Sequence, residues 1–220
     1  AMRWMEALQL LGEVQRTGLL KTPGGSQGLI AFNAALSACS EGHAWRHSLV
    51  LLGQMLRPEA ELAAIAPDVL SFNAAMSACE RSHEWARSLR LFEDMQARAL
   101  EPSAISFCTA SSACGKGMQW QQAVNLLGEA QHRGLHTGVT IFSAAINACA
   151  KAEQWQAALS LLTAMRALGI EPDDSIRSAI VPVLAAAHQS AAGHSEARAL
   201  LREAGPEAAV LRAGGNPITK

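Results

Sequence analysis

Two short patterns invite a metal. Cys39-x-x-x-His43 and Cys79-x-x-x-His83 each place a thiol and an imidazole four residues apart, one turn along a helix. Zinc requires about four convergent ligands. The matching places further on pair Cys114 with Met118 and Cys149 with Glu153, so no metal site is expected. His194-Ser-Glu196 has the H-x-E form of zinc deaminases, but no C-x-x-C follows to complete the ligands. No G-x-S-x-G elbow, P-loop or dinucleotide fingerprint occurs. The chain is therefore expected not to be an enzyme and to carry no cofactor. What remains is a recurring amide: Asn33 and Asn73 each follow a Phe directly. Such a residue can cap a helix or face solvent, and its recurrence points to use in reading a ligand.

Composition bounds the elements that must position these groups. Half of the 220 residues are apolar and 17% are charged, below the roughly 25% of an average soluble protein, which excludes a disordered polyelectrolyte. Eighteen basic residues against 19 acidic ones leave a net charge of -1. A histone-like binder is excluded, and any contact with nucleic acid must come from charge placed locally. The longest apolar run, Ala179 to Ala187, is short and holds Pro182, so no membrane span is expected. The sequence opens at Ala1 inside an amphipathic pattern (Trp4, Met5, Leu8, Leu11), as an excised fragment would. Five cysteines without a C-x-x-C read as reduced core thiols in a reducing compartment.

A repeat organises the chain. Phe32, Phe72, Phe107 and Phe142 are spaced 40, 35 and 35 residues apart. Cys39, Cys79, Cys114 and Cys149 keep the same intervals, as do Trp45, Trp85, Trp120 and Trp155. Within a unit, Phe72, Ala75, Met76 and Cys79 form one helical face, and Ser82-His83 breaks it. A second helix opens near Glu84 with Trp85, Leu89, Phe92 and Met95 and stops between Ala99 and Pro102. Gly134, and Gly169 with Pro172, close the second helices of later units. The Phe, Cys and Trp series all read as core.

Such a hairpin cannot bury its apolar face alone, so the units must stack. The expected fold is all-α, a right-handed α-solenoid of helical hairpins. It forms one helical-repeat domain over 1–213: a partial repeat and loop at 1–28, full repeats at 29–68, 69–103, 104–138 and 139–173, and a degenerate repeat at 174–213. Residues 214–220 are a tail. First helices should run from Leu29, Val69, Ala104 and Val139, each with a partner opening near its Trp. Lys21 to Gly28 is expected as a Gly-rich loop, and the segment after Arg57 as an insertion between units. Helices are also expected over Ser178 to Ala187, Ser195 to Ala204 and from Gly205 to Leu211.

A 35-residue hairpin with an aromatic-Asn pair on its first helix and a Gly-x-x-Pro-Asp ending resembles the pentatricopeptide repeat. Met165 to Asp173 (Met-Arg-Ala-Leu-Gly-Ile-Glu-Pro-Asp) matches best. A tetratricopeptide repeat would show a period of about 34 residues and another Trp context. The resemblance implies binding of single-stranded RNA at one base per repeat, in organellar RNA processing, editing, stability or translation. It implies that the base is read by the residue after the first-helix aromatic together with the last residue of the repeat. Those pairs are Asn33 with Asp68 for U, Asn73 with Ser103 for C, Cys108 with Gly138 for no base, and Ser143 with Asp173 for G.

The same resemblance makes Ile30, Leu70, Ile105 and Thr140 the side chains that clamp bases, and Arg81, Lys116 and Lys151 the phosphate contacts, with Glu41 in their place in the first unit. It implies a mitochondrion or plastid and further RNA-processing proteins as partners. Two other readings compete: a scaffold whose concave face binds a protein or peptide, and part of an enzyme whose catalytic domain lies elsewhere.

Overall fold

Helices form wherever apolar residues run three and four apart. The computed structural model describes residues 3–17, 26–57, 65–135 and 138–189, and among these it has ten helices and no strand. They are α1 (Arg3–Arg16), α2 (Ser26–Glu41), α3 (Trp45–Met55), α4 (Val69–Arg81), α5 (Trp85–Ala97), α6 (Ala104–Lys116), α7 (Trp120–His132), α8 (Val139–Lys151), α9 (Trp155–Ala167) and α10 (Asp174–Gln189). Three first helices begin at Val69, Ala104 and Val139, and four second helices begin on their Trp, as the repeat frame predicts.

Two starts differ. α2 opens at Ser26 rather than Leu29, so the end of the Gly-rich loop is helical. A helical glycine costs about 1 kcal/mol, and Gly28 is buried where packing offsets it. α10 opens at Asp174, four residues before Ser178. The helices expected over Ser195 to Ala204 and up to Leu211, the tail from Gly214 and most of the insertion after Arg57 lie outside the described residues. Ile65, at the end of that insertion, belongs to the core and is 2% exposed.

The turn inside each hairpin has one design. His43, His83, Met118 and Glu153 take φ of 54°, 62°, 54° and 57°. The next residue's amide then reaches back to a core cysteine's carbonyl: Ala44 to Cys39, Glu84 to Cys79, Gln119 to Cys114 and Gln154 to Cys149, all at 2.9 Å. This left-handed stop satisfies carbonyls that the helix end would otherwise orphan. Three second helices, α5, α7 and α9, close alike, on Ala99, Gly134 and Gly169 with φ of 58°, 67° and 70°, whereas α3 ends on Leu56 with φ of -83°.

The stack has two layers. First helices α2, α4, α6, α8 and α10 pack side by side, while each second helix sits across its own partner and the next first helix. Phe32, Phe72, Phe107 and Phe142 are wholly buried, as are the four cysteines in their register. Phe92 of α5 meets Phe107 of α6 edge-on across the unit boundary, with ring centroids 5.0 Å apart. Where the helices of a hairpin cross, small residues let them close: Ser48, Ser88, Ala123 and Ala158 have no exposed surface. Ser88 also donates its hydroxyl to the Met76 carbonyl at 3.2 Å.

The tryptophans depart from the core reading. All five are half-buried, and Trp4, Trp45, Trp120 and Trp155 pack against the edge of the core. Arg87 of the following unit stacks on Trp45 at 4.6 Å, with Arg46 at 5.1 Å. A side chain that keeps part of its surface in water recovers less on burial. Trp120→Ala should therefore cost less than the ~3–5 kcal/mol of a fully buried aromatic.

Glycine makes room for two of these rings. A Cβ on Gly42 would sit 2.1 Å from the Trp4 ring, and one on Gly117 would sit 2.5 Å from Trp85. Gly117 has an ordinary φ of -88°, so space and not backbone freedom fixes its identity. Gly117→Val should displace Trp85 and lower stability by about 1–3 kcal/mol. Gly128, inside α7 with nothing within 4 Å of its missing Cβ, should gain about 0.5–1 kcal/mol as Ala. Urea unfolding of the two variants beside the parent checks both signs.

Candidate functional site

Each residue that closes a unit is also the N-cap of the next first helix. Asp68 caps α4 and Ser103 caps α6, both in reciprocal capping boxes with the hydroxyl three residues on, Ser71 and Ser106. Asp173 accepts the Ile176 amide at 2.9 Å at the start of α10. Gly138 precedes α8 with no side chain to offer, and Ile141 stands where the other units have Ser71 and Ser106. A sequence rule for N-caps alone would select Asp, Ser and Asp here, so capping accounts for their chemistry before any ligand does.

In the first unit the cap and the amide form one network. Asn33 Nδ2 donates to Asp68 Oδ1 at 3.2 Å, while Ser71 Oγ lies 2.6 Å from Asn33 Oδ1 and 2.9 Å from Asp68 Oδ1. The Ser71 amide adds a bond to the same Oδ1 at 2.9 Å. The contacts from Asn33 Nδ2, the Ser71 hydroxyl and the Ser71 amide converge on Asp68 Oδ1, and Asp68 Oδ2 makes no hydrogen bond among the described residues. Burial pushes the Asp68 carboxyl up, but the bonds from Ser71, Asn33 and its own amide outweigh that and hold it below its ordinary value.

The other units are built differently. In the second, Asn73 Nδ2 donates to Ser103 Oγ at 3.4 Å, and Asn73 Oδ1 is buried without a partner. In the third, Cys108 is half-buried; burial raises its thiol, Glu80 adds to the rise and a bond with Thr140 opposes it. In the fourth, no hydrogen bond joins Ser143 to Asp173. Ser143 donates to Ser175 Oγ at 3.5 Å and accepts from Asn147 Nδ2 at 3.4 Å. Asn147 also donates to Ser175 Oγ at 3.4 Å. The reading of the residues alone missed Asn147 and Ser175; Asn147 lies four residues after Ser143, the spacing that puts both on one helix face.

Beside these polar groups stands an apolar row. Ile30, Leu70 and Ile105 are 68%, 60% and 63% exposed; Leu70 and Ile105 are the second residues of α4 and α6, Ile30 is the fifth of the longer α2, and Thr140 of α8 continues the row. Aliphatic side chains at a fixed interval, displayed rather than buried, form a surface that something planar and apolar can cover. Arg81 and Lys151 are exposed at the ends of α4 and α8, and Glu41 is exposed at the end of α2. Neither cation has a hydrogen bond or ion pair from its side chain among the described residues. Lys116 differs, since its Nζ meets Glu80 Oε1 at 3.0 Å and the Glu80 carbonyl at 2.8 Å.

The thiols of Cys39, Cys79 and Cys149 are pushed up to about 11 and that of Cys114 to about 12, by burial foremost. They are thus protonated and unreactive. His43 and His83 are exposed while their cysteines are buried. Among the described residues no three or more His, Cys, Asp or Glu gather where they could hold a metal ion, and no helix is long and apolar enough to cross a membrane.

Asp68→Ala should cost about 1 kcal/mol by loss of the cap. Because the folded state holds this carboxyl low, its contribution is present above the unfolded value of about 3.9 and fades as pH falls through the folded one. The variant should therefore lose less stability on acidification than the parent, measured by urea unfolding from neutral pH down to about pH 3.

Residues 70–99 and 140–170 match the family model of the PPR repeat. No curated protein sequence matches the chain. Among solved structures, the pentatricopeptide repeat protein PPR10 from maize is similar at a TM-score of 0.63 and 24% identity, over 91% of this chain and 27% of that one. The same maize protein in complex with an 18-nt psaJ RNA element gives 0.64 and 22%, over 97% and 33%. The PPR domain of Arabidopsis thaliana protein-only RNase P 1 in complex with tRNA gives 0.64 and 15%, over 82% and 90%. At these identities the likeness is one of fold, and the chain spans a third or less of the maize protein.

Proposed function

We propose that this chain, which carries pentatricopeptide repeats, binds single-stranded RNA along its first helices and serves organellar RNA processing, editing, stability or translation in a mitochondrion or plastid. Its described residues act by binding and catalyse no reaction of their own. One observation carries the reading: the exposed row of Ile30, Leu70 and Ile105 stands beside polar pairs at the same interval. Aliphatic faces take up the flat sides of bases, and the polar pair meets their edges. The maize protein was solved with an RNA element and the Arabidopsis domain with tRNA, which supports an RNA ligand for this fold.

The first unit is the best built. Asn33 Nδ2 uses one proton on Asp68 and keeps the other, while Asp68 Oδ2 keeps its lone pairs. A free N–H beside a free carboxylate oxygen complements the carbonyl and imino N–H of uracil. Asn73 with Ser103 selects C and Ser143 with Asp173 selects G, whereas Cys108 with Gly138 has too little hydrogen-bonding capacity to select any base. In the fourth unit Ser143 and Asp173 would meet the base separately, because Ser143 is tied to Asn147 and Ser175. Arg81 and Lys151 hold phosphates and carry no sequence information.

Fluorescence polarisation with RNAs differing at one nucleotide tests this. Asn33→Ala should erase a preference for U at that nucleotide, a shift on the order of 1–3 kcal/mol. Lys151→Ala should weaken all RNAs about equally and flatten the salt dependence. Equal affinity for U-, C- and G-containing RNAs in the parent would reject base reading and leave the protein-scaffold reading in front.

A further inference from the structure

Three cations occupy one repeat position, and one of them is held differently. Arg81, Lys116 and Lys151 end α4, α6 and α8. The Lys116 side chain is 23% exposed and lies against Glu80, whose side chain is 14% exposed. Glu80 Oε1 takes the ammonium at 3.0 Å and the Ser112 hydroxyl at 2.7 Å. The ammonium also donates to the Glu80 carbonyl at 2.8 Å, in the last turn of α4, where a cation suits the helix dipole. A pair so far removed from water is screened little by salt.

The carboxylate is peculiar to this place. The positions equivalent to Glu80 in the other units are Ser40, Gly115 and Ala150. None of them can hold a cation as a carboxylate does. Glu80 reaches from α4 of the second unit to Ser112 and Lys116 of the third, the unit whose proposed reading pair is Cys108 and Gly138, and Cys108, Ser112 and Lys116 follow one another four residues apart along α6. The third unit thus lacks a polar pair for a base and has its cation neutralised.

We infer that Glu80 latches Lys116 away from the phosphodiester backbone, so that the third unit spaces the RNA between neighbouring contacts without gripping it. The inference rests on the RNA-binding reading above. It makes the phosphate track discontinuous: Arg81 and Lys151 act, and the cation between them does not. A phosphate approaching Lys116 meets an ammonium already held by two oxygens of Glu80, the carboxylate Oε1 and the backbone carbonyl. It must also overcome the repulsion of that carboxylate.

Glu80→Gln keeps the shape and an acceptor for Ser112 while removing the charge. Binding of the full chain to fluorescein-labelled oligouridine and to a mixed-sequence RNA of equal length is followed between about 50 and 200 mM salt. The variant should bind both RNAs about threefold to fivefold more tightly, and the slope of log affinity on log salt should steepen by about 0.7, one further phosphate contact on a single strand. In a Lys116→Met background the same Glu80→Gln change should give no gain. An equal gain there would mean that Glu80 acts through its own charge and would overturn the latch.

No gain from Glu80→Gln, with Lys151→Ala still weakening binding, would overturn the latch and leave RNA binding standing. If neither RNA binds the parent, RNA binding and the latch fall together. Glu80→Ser, which copies the first unit's Ser40, gives the same readout if Gln disturbs the helical signal.

Discussion

A helical hairpin of this size has more apolar face than it can cover by itself, and the first-helix phenylalanines are where that shortfall is met. Phe32, Phe72, Phe107 and Phe142 have no exposed surface because each lies beneath its own second helix and against a neighbouring unit. Burial of a ring of this kind is worth about 1.5–3 kcal/mol. The Cys and small residues in register leave the helices free to close on one another. Stability is consequently shared between neighbours and not owned by any single unit.

Once one side of each first helix is committed to that core, the opposite side is left for other uses, and the boundary between units determines how they are arranged. The residue that starts a helix must satisfy orphan amides, so it is polar for structural reasons. It also stands next to the amide or hydroxyl of the preceding first helix. In Asp68 the two duties divide between oxygens: Oδ1 gathers the fold's hydrogen bonds and Oδ2 is left over. Where the cap is Gly138 the fold still closes, because tertiary packing of α8 supplies what the missing cap does not.

Charge follows the same local logic. A net charge of -1 gives the chain no general attraction for a polyanion. What matters is whether a given cation faces solvent alone or an acid across a unit boundary. Arg81 and Lys151 are the first kind and Lys116 the second, though all three occupy one place in the repeat. A carboxylate at 3.0 Å outweighs a periodic position in deciding what a lysine does.

Period, helix type, core register and turn positions were legible in the residues, because each is a local or nearest-neighbour property that three markers repeat together. The starts at Val69 and Ala104 follow from caps and helical spacing, and those at Val139 and on the tryptophans from the spacing and the repeat register. The start of α2 did not, because a glycine that reads as loop is tolerated in a helix once it is buried. The half-burial of the tryptophans was also hidden, since helical phase tells which way a side chain points and not how far the neighbouring unit extends over it. Of the candidate site groups, the exposed row Ile30, Leu70 and Ile105 and the polar positions beside it could be placed by period. Their partners in other units could not. Ser143 turns to Ser175, and Lys116 turns to Glu80. A hydrogen bond between side chains of different units depends on distances of a few tenths of an ångström between helices far apart in sequence, and only the packed stack sets those.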